Sequence, residues 1–194
     1  IAINSEFPEP YYFTAVEEAL SRDFDRLEAA LGRLNFSSLG GGAFAGTSFP
    51  VDRDYVAGSL GFNGPILNSL DAIASRDYLL ELVSAFSILG STVNRLANDL
   101  YIWATDEFSY VEVDDSVAAC SSIMPQKKNP ITLEHIKAKS SHLRGAYVSV
   151  FSTLKGIPFG HCRDVDGESY RMFWNATAEL EAILALLNVT LSTI

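Results

Sequence analysis

Apolar side chains recur at three- and four-residue intervals through most of this chain, and alternation at every second residue is nowhere convincing. Helices are therefore predicted almost throughout. Phe13, Val16, Leu20, Phe24, Leu27 and Leu31 form the stripe of an amphipathic helix from about Tyr11 to Leu34. A short helix is expected around Asp54 to Leu60, ended by Gly61, Gly64 and Pro65. From an N-cap at Asn68 or Ser69, a second long helix is predicted to reach Glu107 without a proline. Leu79, Leu82, Val83, Phe86, Leu89, Val93, Leu96, Leu100 and Trp103 make its seam, and Ala85, Ile88 and Ile102 a second apolar face. Such a helix would be roughly 60 Å long, more than a monomer of this size can cover. Two faces imply two sets of neighbours, which predicts helix bundling in a homo-oligomer.

A third helix is expected from Pro130 to about Lys155, with Ile136, Leu143, Tyr147, Val150, Phe151 and Leu154 inward. A fourth starts near Asp166 and carries Phe173, Leu180, Ile183, Leu184, Leu187 and Leu191. The fold class is all-α, a bundle of long helices, with residues 1–194 as one helical domain. Ile1 begins the chain without methionine and Ile194 interrupts an apolar helical pattern. The domain is thus expected to continue at both ends.

The glycine-rich stretch from Gly40 to Thr47 could cradle an anion on backbone N–H groups, but it has no P-loop lysine and no preceding strand. It reads as a tight turn with close packing.

Composition narrows the functional classes. The formal charge is −10, and the basic residues are scattered apart from Lys127-Lys128, so nucleic acid is not an expected partner. No stretch is long and charge-free enough to suggest a membrane span. Two cysteines do not make a disulfide framework, and neither has metal-ligand spacing with the three histidines, so no metal or other cofactor is expected. A reducing cytoplasm fits that usage. Asn35, Asn175 and Asn188 match a glycosylation sequon, two of them inside predicted helices, and the pattern arises often by chance.

The candidate chemistry is concentrated in Ser121 to Pro130, Ser-Ser-Ile-Met-Pro-Gln-Lys-Lys-Asn-Pro. Two hydroxyls, two cations and an amide meet a helix start, with Asn129 as expected N-cap and Pro130 at the first helical position. Backbone N–H groups and the positive end of the helix dipole beside Lys127 and Lys128 would stabilise a carboxylate or a developing oxyanion. A plain Ser/Pro/Asn loop that caps a helix is about equally consistent with the residues alone.

This string resembles the signature of the fumarase/aspartase superfamily, in the Gln-Lys-Lys version of the argininosuccinate lyases. The resemblance extends through Leu39 to Thr47, Pro50-Val-Asp-Arg53, Leu60-Gly-Phe, Asn68-Ser-Leu-Asp-Ala, Arg76-Asp, Arg95-Leu-Ala-Asn-Asp-Leu, Glu107-Phe and Leu154-Lys-Gly-Ile-Pro158, in order and spacing. It covers roughly Leu20 to Pro158. It implies a central domain of long helices that packs with three other copies as a homotetramer, each active site drawn from three chains.

The implied reaction is anti β-elimination from a succinyl group, which breaks a C–N bond and releases fumarate from a small dicarboxylate or amino-acid substrate. A proton must leave a carbon beside a carboxylate, so the site must supply a base and preorganised positive charge. By resemblance Ser121 is the base, acting as an alkoxide, with Ser122 beside it in the substrate site. Lys127 and Asn129 would hold the succinyl carboxylate, and Glu134 takes the position that pairs with a histidine of another subunit. The family's catalytic acid is expected just before Ile1.

The chain also departs from the pattern. Cys120 replaces a glycine before the two serines, adding a Cβ where positive φ or free movement is expected. Ile131 replaces an acid after Asn-Pro. His161, Asp166 and Ser169 stand where the family has substrate-contacting Tyr, Gln and Lys, reversing the charge offered to an anionic ligand. Three readings follow: a lyase, with argininosuccinate or a changed amine donor; a catalytically silent helical-bundle oligomer; or a helical module that binds partner proteins. The retention of Ser121, Lys127, Asn129 and Glu134 as a set favours the lyase. His135 and His142 match no family acid or base, and Cys162 has no activating neighbour beyond Arg163.

Overall fold

The computed structural model describes residues 9–193; Ile1 and Ile194, on which the expectation of a longer domain rests, lie outside them. Among the described residues the chain forms α1 (Glu9–Leu34), α2 (Arg53–Ser59), α3 (Ser69–Ala74), α4 (Asp77–Trp103), α5 (Ile131–Leu154) and α6 (Arg163–Thr193). One small antiparallel ribbon, β1 (Ala119–Cys120) and β2 (Lys128–Asn129), interrupts the helices. The all-α class therefore holds, with this ribbon as the one element that helical periodicity did not announce.

The fold is organised around α4, which packs on α1, α5 and α6, while α5 and α6 lie against each other. Its seam residues Leu89, Val93, Leu96 and Leu100 meet Leu133, Ile136 and Leu143 of α5 and Leu180, Ile183 and Leu187 of α6. Each such side chain contributes about 1.5–3 kcal/mol when fully buried. A smaller cluster joins Leu79 and Val83 to Val150 and Leu154. Gly90 sets the spacing of α4 and α5, because a Cβ there would lie 2.8 Å from Leu143 Cδ1. Helix α1 is pinned by buried Asp23, which accepts Thr92 Oγ1–H at 2.6 Å and pairs with Arg26 at 2.6 Å.

The predicted helix from Asn68 to Glu107 is two helices. Asn68 caps α3 as expected, its Oδ1 accepting the N–H groups of Leu70 and Asp71. At Ser75 the backbone turns extended, with ψ 134°, and α4 starts two residues later. The Ser75 hydroxyl donates to Asp71 at 2.5 Å, and Arg76 donates to the carbonyls of Ile73 and Ser75 at 2.8 Å. Side chains thus replace the bonds a continuous helix would make. At its other end α4 stops at Trp103, whose carbonyl accepts from Tyr110 and Val111. The uninterrupted helix, about 40 Å long, is shorter than the roughly 60 Å that its periodicity suggests.

The glycine-rich loop is a tight turn: Gly42 has φ +68°, and a Cβ there would lie 2.3 Å from the Gly46 carbonyl oxygen. Several predicted stripe residues are not covered within one chain. Phe24, Leu31, Phe151, Leu184 and Leu191 remain exposed, as do Val148 and Trp174.

Candidate active site

The signature string folds as a hairpin loop on the β1–β2 ribbon. Ala119 pairs with Asn129 and Cys120 with Lys128, so Ser121 and Lys127 stand at the two ends of the loop just beyond the last pair. The backbone N–H groups of Ile123 and Met124 each donate to Ser121 Oγ at 3.3 Å. Two amide dipoles therefore converge on the oxygen that carries negative charge in an alkoxide. The loop closes on itself through Lys127 N–H to the Met124 carbonyl at 3.0 Å. Ser122 and Lys127 are exposed, and Ser121 is half-buried.

The residues flanking the loop correct two local expectations. Pro130, not Asn129, is the N-cap of α5, and it offers no side-chain bond. The Asn129 backbone belongs to β2, and its Nδ2 donates across the ribbon to the Ala119 carbonyl at 3.1 Å. Strand pairing has taken the amide that the helix start would otherwise use. Cys120 is not strained either. It lies in extended β1, and Ser109 is the non-glycine residue with positive φ among the described residues. A Cβ at position 120 therefore sits in a conformation that any residue adopts.

Glu134 is exposed in the first turn of α5, one turn past the loop, and its N–H donates to the Pro130 carbonyl at 3.1 Å. Lys128 turns the other way, with Nζ 2.6 Å from Asp115 and 3.1 Å from Glu112. These carboxylates, Asp115 first, hold the Lys128 ammonium above its ordinary range. Among the described residues no three His, Cys, Asp or Glu side chains gather as metal ligands would.

His161, Asp166 and Ser169 occupy a different place. His161 and Asp166 line a cleft of about 1120 Å³ with Asn35, Phe36, Tyr78 and Tyr170. Asp166 is engaged by Arg76, whose Nη2 and Nε lie 2.7 and 3.0 Å from its Oδ1. Next to this pair the hydroxyls of Tyr78 and Tyr170 touch, and burial first, then Tyr170, pushes the Tyr78 hydroxyl well above its ordinary value. Ser169 is fully buried, with its hydroxyl donating to the Val165 and Asp166 carbonyls of its own helix, so it offers no open face to a ligand. His161 is the exposed member of the three.

The loop group and the cleft group are held apart by α5. Glu134 sits at its start, and the segment to His161 leaves from its end, so one helix of Ile131–Leu154 separates them. At 1.5 Å per residue that is about 35 Å. A small substrate cannot touch both groups of one chain.

A family profile described as lyase matches residues 11–145, most of the described helices and the whole loop. The chain belongs to the lyase family. Among curated lyase-family relatives, argininosuccinate lyase 1 of Shouchella clausii is 48% identical over 184 residues, which are 95% of this chain and 37% of that protein. The argininosuccinate lyase of Thermus thermophilus is 49% identical over 155 residues, 80% of this chain and 34% of its own length. This chain thus spans little more than a third of the relatives it matches. Among solved structures, an EDDS lyase variant with bound fumarate is 32% identical with a TM-score of 0.76, covering 89% of this chain and 35% of that one. A class II fumarase from Schistosoma mansoni, 18% identical with a TM-score of 0.70, shares the fold. The all-α helical bundle of the lyase family is therefore the architecture of this segment.

Proposed function

We propose that the full-length protein is a carbon–nitrogen lyase that releases fumarate from an N-substituted aspartate by β-elimination. The observation that carries this reading is the pair of backbone N–H groups on Ser121 Oγ, with Lys127 at the opposite end of the same loop. Serine is ordinarily a very weak base. Donors aimed at its oxygen and a nearby ammonium lower the cost of the alkoxide, and exclusion of water as the loop folds over substrate strengthens both. The alkoxide takes the proton from the carbon beside the distal carboxylate, and Lys127 and Asn129 receive the charge that builds on that carboxylate. The C–N bond then breaks, and the amine leaves with the bonding electron pair.

The described residues belong to the central helical-bundle domain of this enzyme, and the chain spans little more than a third of its relatives' length. The protein works as a cytoplasmic homotetramer with active sites shared between subunits. Support for sharing comes from α5: the loop group adjoins its start and the cleft group follows its end, and a helix of 24 residues is about 35 Å long, so one substrate would draw the two groups from different chains. Exposed apolar side chains on α1, α5 and α6 give such copies surface to bury. Glu134, open to solvent at the start of α5, is free to meet a histidine of another subunit.

The names of the relatives make argininosuccinate the first candidate, and the family resemblance adds a place in arginine biosynthesis. Asp166 locked to Arg76 and buried Ser169 favour a changed leaving amine, with His161 as the cleft residue left to meet it. The test is ultraviolet detection of fumarate from a panel of N-substituted aspartates that includes argininosuccinate. Ser121→Ala should lower turnover by about 100-fold or more. A full-length protein inactive on the whole panel would leave the silent helical oligomer as the better reading.

A further inference from the structure

The two neighbouring lysines of the loop are in opposite electrostatic situations. Lys128 is neutralised by Asp115 at 2.6 Å and Glu112 at 3.1 Å, whereas among the described residues no carboxylate pairs with Lys127. The ribbon explains the split. Successive side chains on a strand point to opposite faces, so β2 turns Asn129 inward to the Ala119 carbonyl and Lys128 outward to the acidic segment.

That acidic segment is a mounted platform. Val111, Val113 and Val117 are buried, with Glu112 and Asp115 exposed between them. Asp114 shapes the turn by accepting the Ser116 N–H at 2.8 Å and hydroxyl at 2.6 Å. One limb of the loop runs on from this platform through β1. The other is fastened back to it by the Lys128 ammonium.

Resting on the lyase reading above, we propose that Lys128 is a positioning residue. It clamps the base of the loop to Glu112 and Asp115, so that Ser121 and Lys127 stay in register and Lys127 keeps its charge for the substrate carboxylate. Without the Lys128 charge the base loosens. Two unpaired carboxylates are then also left to compete for Lys127, one residue away.

The pair is exposed and the effect correspondingly modest and salt-sensitive, about two- to five-fold. In the full-length protein, Lys128→Gln should speed amide hydrogen exchange across residues 121–127 by about that factor at low salt. Exchange in α5 should stay unchanged, showing an intact fold. Lys128→Arg should restore slow exchange, and high salt should erase the difference. The kcat/KM for fumarate release should fall in parallel, through kcat as well as KM, because the displaced Lys127 both holds the substrate carboxylate and takes up the charge that builds on it. Unchanged exchange at 121–127 in Lys128→Gln overturns the clamp. Faster exchange in a protein that releases no fumarate supports the clamp and removes the lyase reading instead.

Discussion

Arg76 holds Asp166 across the molecule: its Nη2 lies 2.7 Å from Asp166 Oδ1, and its Nη1 donates at 2.8 Å to the carbonyls that end α3. One guanidinium therefore ends α3, precedes α4 and ties both to the first turn of α6. The pairing also changes what Asp166 offers the cleft. A carboxylate at that position would repel an anionic ligand, but here its charge is already matched within the chain.

The stability of the domain should depend on this pair. Arg76→Ala leaves two helix-end carbonyls and a carboxylate without their donor, a loss of about 2 kcal/mol after allowing for the partial exposure of Asp166. Asp166→Asn keeps the shape and should cost about half as much. Arg76→Lys should rescue little, since one ammonium cannot reach three acceptors in a fixed fork. Urea unfolding of the three variants measures this, and equal midpoints would show the pair to be idle.

How far the sequence revealed this arrangement depends on how local each cause is. The seam of α4 from Leu79 to Leu100 was legible because periodicity follows directly from burial on one face. The break at Ser75 was not. Apolar spacing continues through it and no proline or glycine marks it, while the donor that stabilises it also reaches a carboxylate ninety residues along the chain. Asn129 shows the same limit at the site. Its local context is that of an N-cap, yet pairing with Ala119 across the loop decided where its amide went. That Ser121 to Pro130 is a loop leading into a helix was readable from its Ser, Pro and Asn residues. The burial of Ser169 and the neutralisation of Asp166 depend on other helices and were not.

The uncovered apolar side chains give the oligomer a direct test. Val148 is 60% exposed on α5 and Trp174 62% exposed on α6, more than their neighbours facing α4. If other copies cover these faces, Val148→Glu or Trp174→Glu buries a charge at an interface and should shift the full-length protein toward smaller species. Sedimentation velocity reads the change, with circular dichroism confirming unchanged helix content. Assembly that survives both substitutions would place the subunit contacts elsewhere.

Sequence and structure assign the Cys120 side chain opposite effects. Beside Ser121, where the family has glycine, an added Cβ suggests strain that Cys120→Gly would relieve. The structure places Cys120 in β1 paired with Lys128, in extended backbone without positive φ. Glycine there gains nothing conformationally and adds entropy to the unfolded and open forms, about 0.5–1 kcal/mol. Cys120→Gly should therefore loosen the ribbon, with faster amide exchange at residues 119–129, and Cys120→Ser should leave it unchanged. The same ribbon holds Ser121 opposite Lys127, so loosening it should lower fumarate release as well. A Cys120→Gly variant with slower exchange and higher turnover would mean that the loop works from a conformation in which residue 120 leaves the strand.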